Sequence, residues 1–183
     1  MSQPLRIALI DWNREVRSAR RAILDATQNI EVVFESEGNE ADLKQLPDLL
    51  IDVIVIDQQL EQGSGVAAFN KIRHGYEESS EVPRALLTAP FDLLGIRLLA
   101  LEAGMQGLVS VEDGAHGLVS KIRSAAEGQN STDLGQLYEL VGASKLVTGI
   151  DFEFTQSVNS LPVRKRAIVE KLARGWAQKS KGS

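Results

Sequence analysis

The chain of 183 residues contains no cysteine and only two histidines, His74 and His116. Without thiols it cannot form disulfides, use a cysteine nucleophile or build a cysteine-based metal site. Two histidines so far apart in the sequence are too few for a histidine metal centre. The chain also lacks an apolar run approaching the ~18 residues that a membrane span needs, and its N-terminus has no signal-peptide pattern. We therefore expect a cytoplasmic protein that does not associate with membranes.

Charge is unevenly distributed along the chain. Residues 161–183 carry seven basic side chains and one acidic side chain, a net charge of +6, whereas the whole chain carries −5. Residues 1–160 therefore carry −11. A basic tail on an acidic body weakly indicates nucleic acid, because a phosphate backbone attracts clustered lysine and arginine. A solvated helix face near the chain end explains the same pattern equally well.

The most informative segment is Asp52-Val-Ile-Val-Ile-Asp57. Its four consecutive β-branched residues predict a strand that is buried on both faces, as in the centre of a parallel sheet. The segment Arg6-Ile-Ala-Leu-Ile-Asp11 has the same ending. Chemistry collects at the carboxyl ends of strands in open parallel sheets, so both terminal acids are candidates for a functional site.

The first 128 residues alternate between strand and helix patterns. Strands are predicted at residues 7–10, 31–34, 52–57, 84–88 and 107–110, and helices at residues 14–26, 40–46, 64–73, 93–103 and 114–127. This alternation predicts an α/β protein, a flavodoxin-like (βα)5 doubly wound parallel sheet in the order 2-1-3-4-5, plus a C-terminal helical extension. The inward face predicted for the first helix consists of Val16, Ala19, Ile23 and Ala26.

Over about residues 5–128 the chain resembles the receiver domain of two-component response regulators. The likeness is carried by Ile-Asp11, Val-Ile-Asp57 with Gly63-Ser-Gly65, Leu-Leu-Thr88-Ala, Ala-Leu-Glu-Ala-Gly104 and Gly107-Leu-Val-Ser. The resemblance implies that Asp57 accepts a phosphoryl group from a histidine kinase. It also implies that Asp11, Asp57 and the backbone carbonyl of Gln59 help to hold Mg²⁺, which prefers oxygen ligands, and that the Thr88 hydroxyl binds phosphoryl oxygens.

Other positions depart from the receiver pattern. Trp12 stands where a second acid and metal ligand is expected, and Val111 stands where the resemblance places a lysine. Leu60-Glu61 replaces the usual Met-Pro, and Leu108 replaces an aromatic switch residue. Because a metal ligand and the lysine are both missing, phosphoryl transfer to Asp57 should lose several kcal/mol of transition-state stabilisation. We expect a degenerate receiver that works by binding, without a cofactor and with little affinity for Mg²⁺.

Two alternatives stay open from the sequence. One is a working phosphoacceptor at Asp57. The other is a flavodoxin-like domain that binds a small molecule, although Asn13-Arg-Glu-Val is not a glycine-rich phosphate loop and no nucleophile–base pair is visible. Because neither pattern is present, the sequence predicts that the protein is not an enzyme.

Trp12 also has two alternative placements. It could fill the acidic pocket that the missing carboxylate leaves, or it could be an exposed indole that contacts a partner. If Asp11 and Asp57 lie close together without a metal or a lysine, their repulsion should raise the pKa of one of them.

After Gly128 the pattern changes. The receiver-like domain is predicted at residues 1–128, followed by a linker with a helix at residues 129–160. Residues 161–183 resemble the first helix of a LuxR-type helix-turn-helix domain through Leu161-Pro-Val-Arg and Leu-Ala-Arg-Gly175. In that family two more helices follow, and the second of them enters the major groove, so we expect DNA binding only through parts that this chain does not include.

Two apolar surfaces predict a homodimer. Val169, Leu172, Ala173 and Trp176 form one helical stripe, and Leu94, Leu98 and Leu101 form a face on the fourth predicted helix. Receivers commonly pair through that fourth helix, in a symmetric contact. A histidine kinase or another regulatory protein is a further candidate partner.

Overall fold

The computed structural model describes residues 3–76 and 81–130. Strands and helices alternate in these residues: β1 (Leu5–Ile10), α1 (Arg14–Asp25), β2 (Ile30–Ser36), α2 (Glu40–Leu43), β3 (Val53–Asp57), α3 (Gly65–Gly75), β4 (Arg84–Ala89), α4 (Leu94–Glu102), β5 (Gly107–Ser110) and α5 (Gly114–Ala126). A short antiparallel ladder between Gln59–Leu60 and Gly63–Ser64 is left out of this numbering. The 3-10 turns Leu46–Asp48 and Val111–Asp113 are also left out of the numbering.

The numbered strands form one parallel sheet in the order β2-β1-β3-β4-β5. This confirms the predicted flavodoxin-like sheet. Ile10 of β1 pairs with Ile56 of β3, and Asp57 of β3 pairs with Thr88 of β4. The carboxyl ends of these three neighbouring strands therefore lie side by side.

The two central strands are buried along their length. Every residue from Ile7 to Ile10 and from Val53 to Ile56 has 0% exposure. On one side of the sheet they pack with Leu24 of α1 and with Leu118 and Ile122 of α5. Strands fixed in this way give the side chains at their carboxyl ends a rigid base.

The inward face of α1 differs from the prediction. Leu24 is fully buried and Ile23 partly so, but Val16, Ala19 and Ala26 are exposed. Arg17 and Arg20 take the partly buried positions instead. The prediction was wrong because apolar spacing shows only where hydrocarbon is buried, whereas the start of α1 lies beside a polar end of the sheet.

The second helix is shorter than predicted. It ends at Leu43, and a separate 3-10 turn, Leu46–Asp48, carries Pro47 in its first positions. Proline disfavours an α conformation in the residue before it, which explains why one continuous helix does not reach residue 46.

The chain divides into two compact units, residues 1–92 with 100–131 and residues 93–99 with 132–183. The predicted linker helix and helix-turn-helix start, from residue 131 onward, lie outside the described residues. On α4, Leu98 and Leu101 are buried and Leu94 is partly buried, and the homodimer stays a prediction. None of the helices described is both long and apolar enough to cross a membrane.

Candidate functional site

Three polar side chains meet at the carboxyl ends of the central strands. Asp11 directly follows β1, Asp57 ends β3, and Thr88 lies in β4. The Thr88 hydroxyl donates to Oδ2 of Asp57 at 3.0 Å. The Asp11 side chain is 1% exposed and the Asp57 side chain 14% exposed, so both carboxylates are largely withdrawn from water.

Arg20 of α1 joins the two carboxylates. Its Nη1 donates to Oδ2 of Asp11, and the same nitrogen lies 3.6 Å from Oδ2 of Asp57. The Arg20 side chain is itself only 15% exposed. A guanidinium therefore supplies positive charge inside this pocket.

Sequence reasoning missed Arg20, although one signal was available. Arg17, Arg20 and Leu24 follow each other at spacings of three and four, which places them on one side of a helix. Arg17 lies next to the same pocket, since its guanidinium donates to the backbone carbonyl of Asp11 and to Glu37. Two arginines aligned with a buried leucine indicate charged groups turned toward the sheet.

Each carboxylate oxygen in the pocket already has a partner. Oδ1 of Asp11 accepts the backbone N–H of Asn13 at 2.8 Å, and Oδ1 of Asp57 accepts the backbone N–H of Gln59 at 2.9 Å. The two Oδ2 atoms are held by Arg20 and Thr88. These hydrogen bonds fix the rotamers of both acids.

Burial raises the pKa of Asp11 above its ordinary value, and the neighbouring charge of Asp57 adds to the increase. Arg20 and the N–H of Asn13 act in the opposite direction. The direction agrees with the repulsion expected from the sequence, but loss of solvation is the larger cause.

The exposure of Trp12 and Val111 argues against a role for either side chain inside the pocket. Trp12 is 46% exposed, and it is the guanidinium of Arg20 that lies between the two acids. Val111 is 71% exposed and offers no charge. The nearby Lys121 of α5 donates to the Leu108 carbonyl at 2.8 Å and to Asp113 at 2.7 Å.

The residues of the pocket do not fit a divalent cation. Mg²⁺ requires a near-octahedral set of oxygens, and Trp12 supplies none. The oxygens that Asp11 and Asp57 could offer are bound to Arg20, Thr88 and backbone N–H groups. Among the residues described, no cluster of three or more acidic, histidine or cysteine side chains could hold a metal.

The loop after β3 is anchored to the same edge by backbone hydrogen bonds. Gln58 N–H donates to the Thr88 carbonyl at 2.7 Å, and Gly65 N–H donates to the Gln58 carbonyl at 2.8 Å. Gly65 approaches β3 so closely that a Cβ added to it would lie 2.0 Å from the carbonyl oxygen of Asp57. Only glycine fits where α3 begins.

No protein-family model matches the chain. Its fold is that of receiver domains in solved response regulators. A LuxR-family two-component response regulator from Aurantimonas sp. SI85-9A1 is 26% identical, over 73% of this chain and 94% of that chain, with a TM-score of 0.62. The isolated REC domain of RcsB from Salmonella enterica serovar Typhimurium, with phosphomimetic BeF3−, is 18% identical over 74% and 99%, with a TM-score of 0.60. The response regulator ChrA of a heme-sensing two-component system is 20% identical over 98% and 99%, with a TM-score of 0.57.

Proposed function

We propose that this protein is an atypical response regulator whose receiver domain acts by dimerising or by binding a partner, with little or no phosphorylation of Asp57. The observation that carries the proposal is the guanidinium of Arg20 between Asp11 and Asp57. The likeness to a LuxR-family regulator supports a place in signal transduction and transcription regulation.

The electrostatics of the pocket argue against efficient phosphoryl transfer. A phosphoryl group that moves to a carboxylate spreads negative charge over its equatorial oxygens, and this charge must be neutralised. Val111 contributes no cation at the lysine position, and Arg20 is already bound to Asp11. Asp57 therefore keeps its position at the strand end, and the guanidinium beside it is already shared with Asp11.

Exposed apolar side chains at the same edge of the sheet support a binding role. Trp12 follows β1, Phe91 follows β4 and Val111 follows β5, with exposures of 46%, 63% and 71%. Large apolar side chains concentrated at one end of a domain are typical of a surface that a protein partner covers. Light scattering of the full chain separates pairing of two copies from binding of a different protein.

A working phosphoacceptor is the second candidate. It is favoured by the Thr88 hydroxyl, which donates to Asp57, and by the 3.6 Å between Arg20 Nη1 and Asp57. In that case the guanidinium would release Asp11 and neutralise the incoming phosphoryl group.

Incubation of the full chain with acetyl phosphate and MgCl2 is expected to leave the intact mass unchanged, because the guanidinium beside Asp57 is already shared with Asp11 and cannot freely neutralise a phosphoryl group. Intact-protein mass spectrometry measures the result, with Asp57→Asn as the matched control. A stoichiometric phospho-adduct that is absent from Asp57→Asn would favour the second candidate and contradict the proposed function.

A further inference from the structure

We propose that Arg20 is the resident cation of the Asp11–Asp57 pocket and that it excludes divalent metal ions from it. The inference deepens the proposed function, on which it rests, by naming the group that takes the place of a metal. It concerns metal binding itself and is tested without any phosphorylation assay.

Position is the first argument. Arg20 lies in the middle of α1, whose first turn is capped by the Asn13 side chain through the N–H groups of Glu15 and Val16. One turn further on, Leu24 is fully buried and anchors the helix to the core. The Asn13 N–H also holds Asp11, so acid and arginine are fixed from the same short segment. The guanidinium is thus held in place before any ligand arrives.

Charge is the second argument. An ionised carboxylate as buried as Asp11 requires a counter-ion, because removal from water penalises the charged form. Arg20 supplies it and also lies within ion-pair distance of Asp57. An arginine side chain keeps its proton at any pH at which proteins are stable, so this counter-ion is permanent.

Competition for the same atoms is the third argument. A metal ion shared by the two acids needs Oδ2 of Asp11 and Oδ2 of Asp57, which are the atoms that Arg20 contacts. Metal and guanidinium cannot both occupy this position, since like charges repel at such distances. In an Arg20→Gln variant, the freed carboxylates leave a weak site for Mg²⁺ or Mn²⁺ and, without metal, repel each other.

Thermal unfolding with and without MgCl2, at matched ionic strength, tests this proposal. We expect the wild-type Tm to be insensitive to Mg²⁺. The Arg20→Gln variant should unfold at a lower temperature, and its Tm should rise by roughly 3–6 °C at a metal concentration ten times the Kd. Circular dichroism first establishes that the variant is folded.

Arg21→Gln is the matched control, because Arg21 lies next to Arg20 on α1 but pairs with Asp25 and Glu35. Its Tm should not respond to Mg²⁺. In the double variant that combines Arg20→Gln with Asp57→Asn, the rise of the Tm with Mg²⁺ should disappear. A folded Arg20→Gln variant without a metal response overturns the inference.

Calorimetric titration of the wild-type chain with MnCl2 keeps the test independent of how well the variant folds. We expect no stoichiometric binding. Binding that Asp57→Asn abolishes would show that Arg20 does not exclude the metal. Such a result would refute the resident cation even if acetyl phosphate leaves Asp57 unmodified, so the two proposals can fail separately.

Discussion

Replacement of Arg20 by methionine is expected to lower the free energy of unfolding at pH 7 by about 3–5 kcal/mol, the usual cost of removing one partner of a buried ion pair. Methionine keeps an unbranched aliphatic chain but removes the guanidinium. Asp11, 1% exposed, then loses its ion-pair partner next to Asp57 and keeps only the weaker influence of Arg17.

The loss of unfolding free energy in Arg20→Met should depend on pH in a definite direction. Burial raises the pKa of Asp11 above its ordinary value of 3.8, and Arg20 limits this rise. Without Arg20, the pKa of Asp11 should be higher still. An acid whose pKa is higher in the folded state stabilises the fold below its unfolded pKa, and this stabilisation is lost as the pH rises through the folded pKa. The deficit of Arg20→Met should therefore be small near pH 4 and grow toward pH 7.

Urea unfolding of wild type and Arg20→Met at both pH values measures this dependence. Arg21→Met is the control, because its ion pairs with Asp25 and Glu35 are more exposed and worth at most about 1 kcal/mol. A deficit that is equal at both pH values, or no larger than that of Arg21→Met, would contradict a buried bridge at Arg20.

Gly65→Ala is expected to be the second strongly destabilising change, with a loss of about 3 kcal/mol or more. The added Cβ would lie 2.0 Å from the carbonyl oxygen of Asp57, so the start of α3 must move away from β3. This movement would also stretch the hydrogen bond from Gly65 N–H to the Gln58 carbonyl, now 2.8 Å.

Gly75→Ala is the matched control for this change at the other end of α3. Among the residues that the structure describes, its Cβ would meet only the ring of Pro47, at 3.3 Å, and alanine favours a helix. We expect Gly75→Ala to alter the free energy of unfolding by about 1 kcal/mol or less. Equal urea midpoints for the two variants would mean that Gly65 does not closely approach β3.

The sheet could be predicted from the sequence because its signals are local. Short apolar runs, β-branched throughout the apolar part of β3, mark the buried strands, and right-handed crossovers leave few strand orders. The same strand order predicts that Asp11, Asp57 and Thr88 lie at one edge of the sheet. The earlier end of α2 was missed because the apolar spacing continues from Leu43 to Leu46, although Leu46 begins a separate 3-10 turn.

The cation of the pocket could not be predicted by the same method. Apolar spacing on α1 assigned Val16 to the core, yet Val16 is 39% exposed, and Arg20 turns inward. A buried arginine is stable only where the fold places acids beside it, and one of those acids, Asp57, is distant in sequence. The 46% exposure of Trp12 is likewise a feature that composition and spacing do not reveal.

The central claim is that the Asp57 pocket, with Arg20 in place, does not assemble a divalent cation and a phosphoryl group. Fluorine NMR of the full chain with BeF3− and MgCl2 tests it most directly, because beryllofluoride mimics the phosphoryl group without requiring transfer. We expect only the resonances of free fluoroberyllate species. Protein-bound resonances that vanish in Asp57→Asn would contradict the claim.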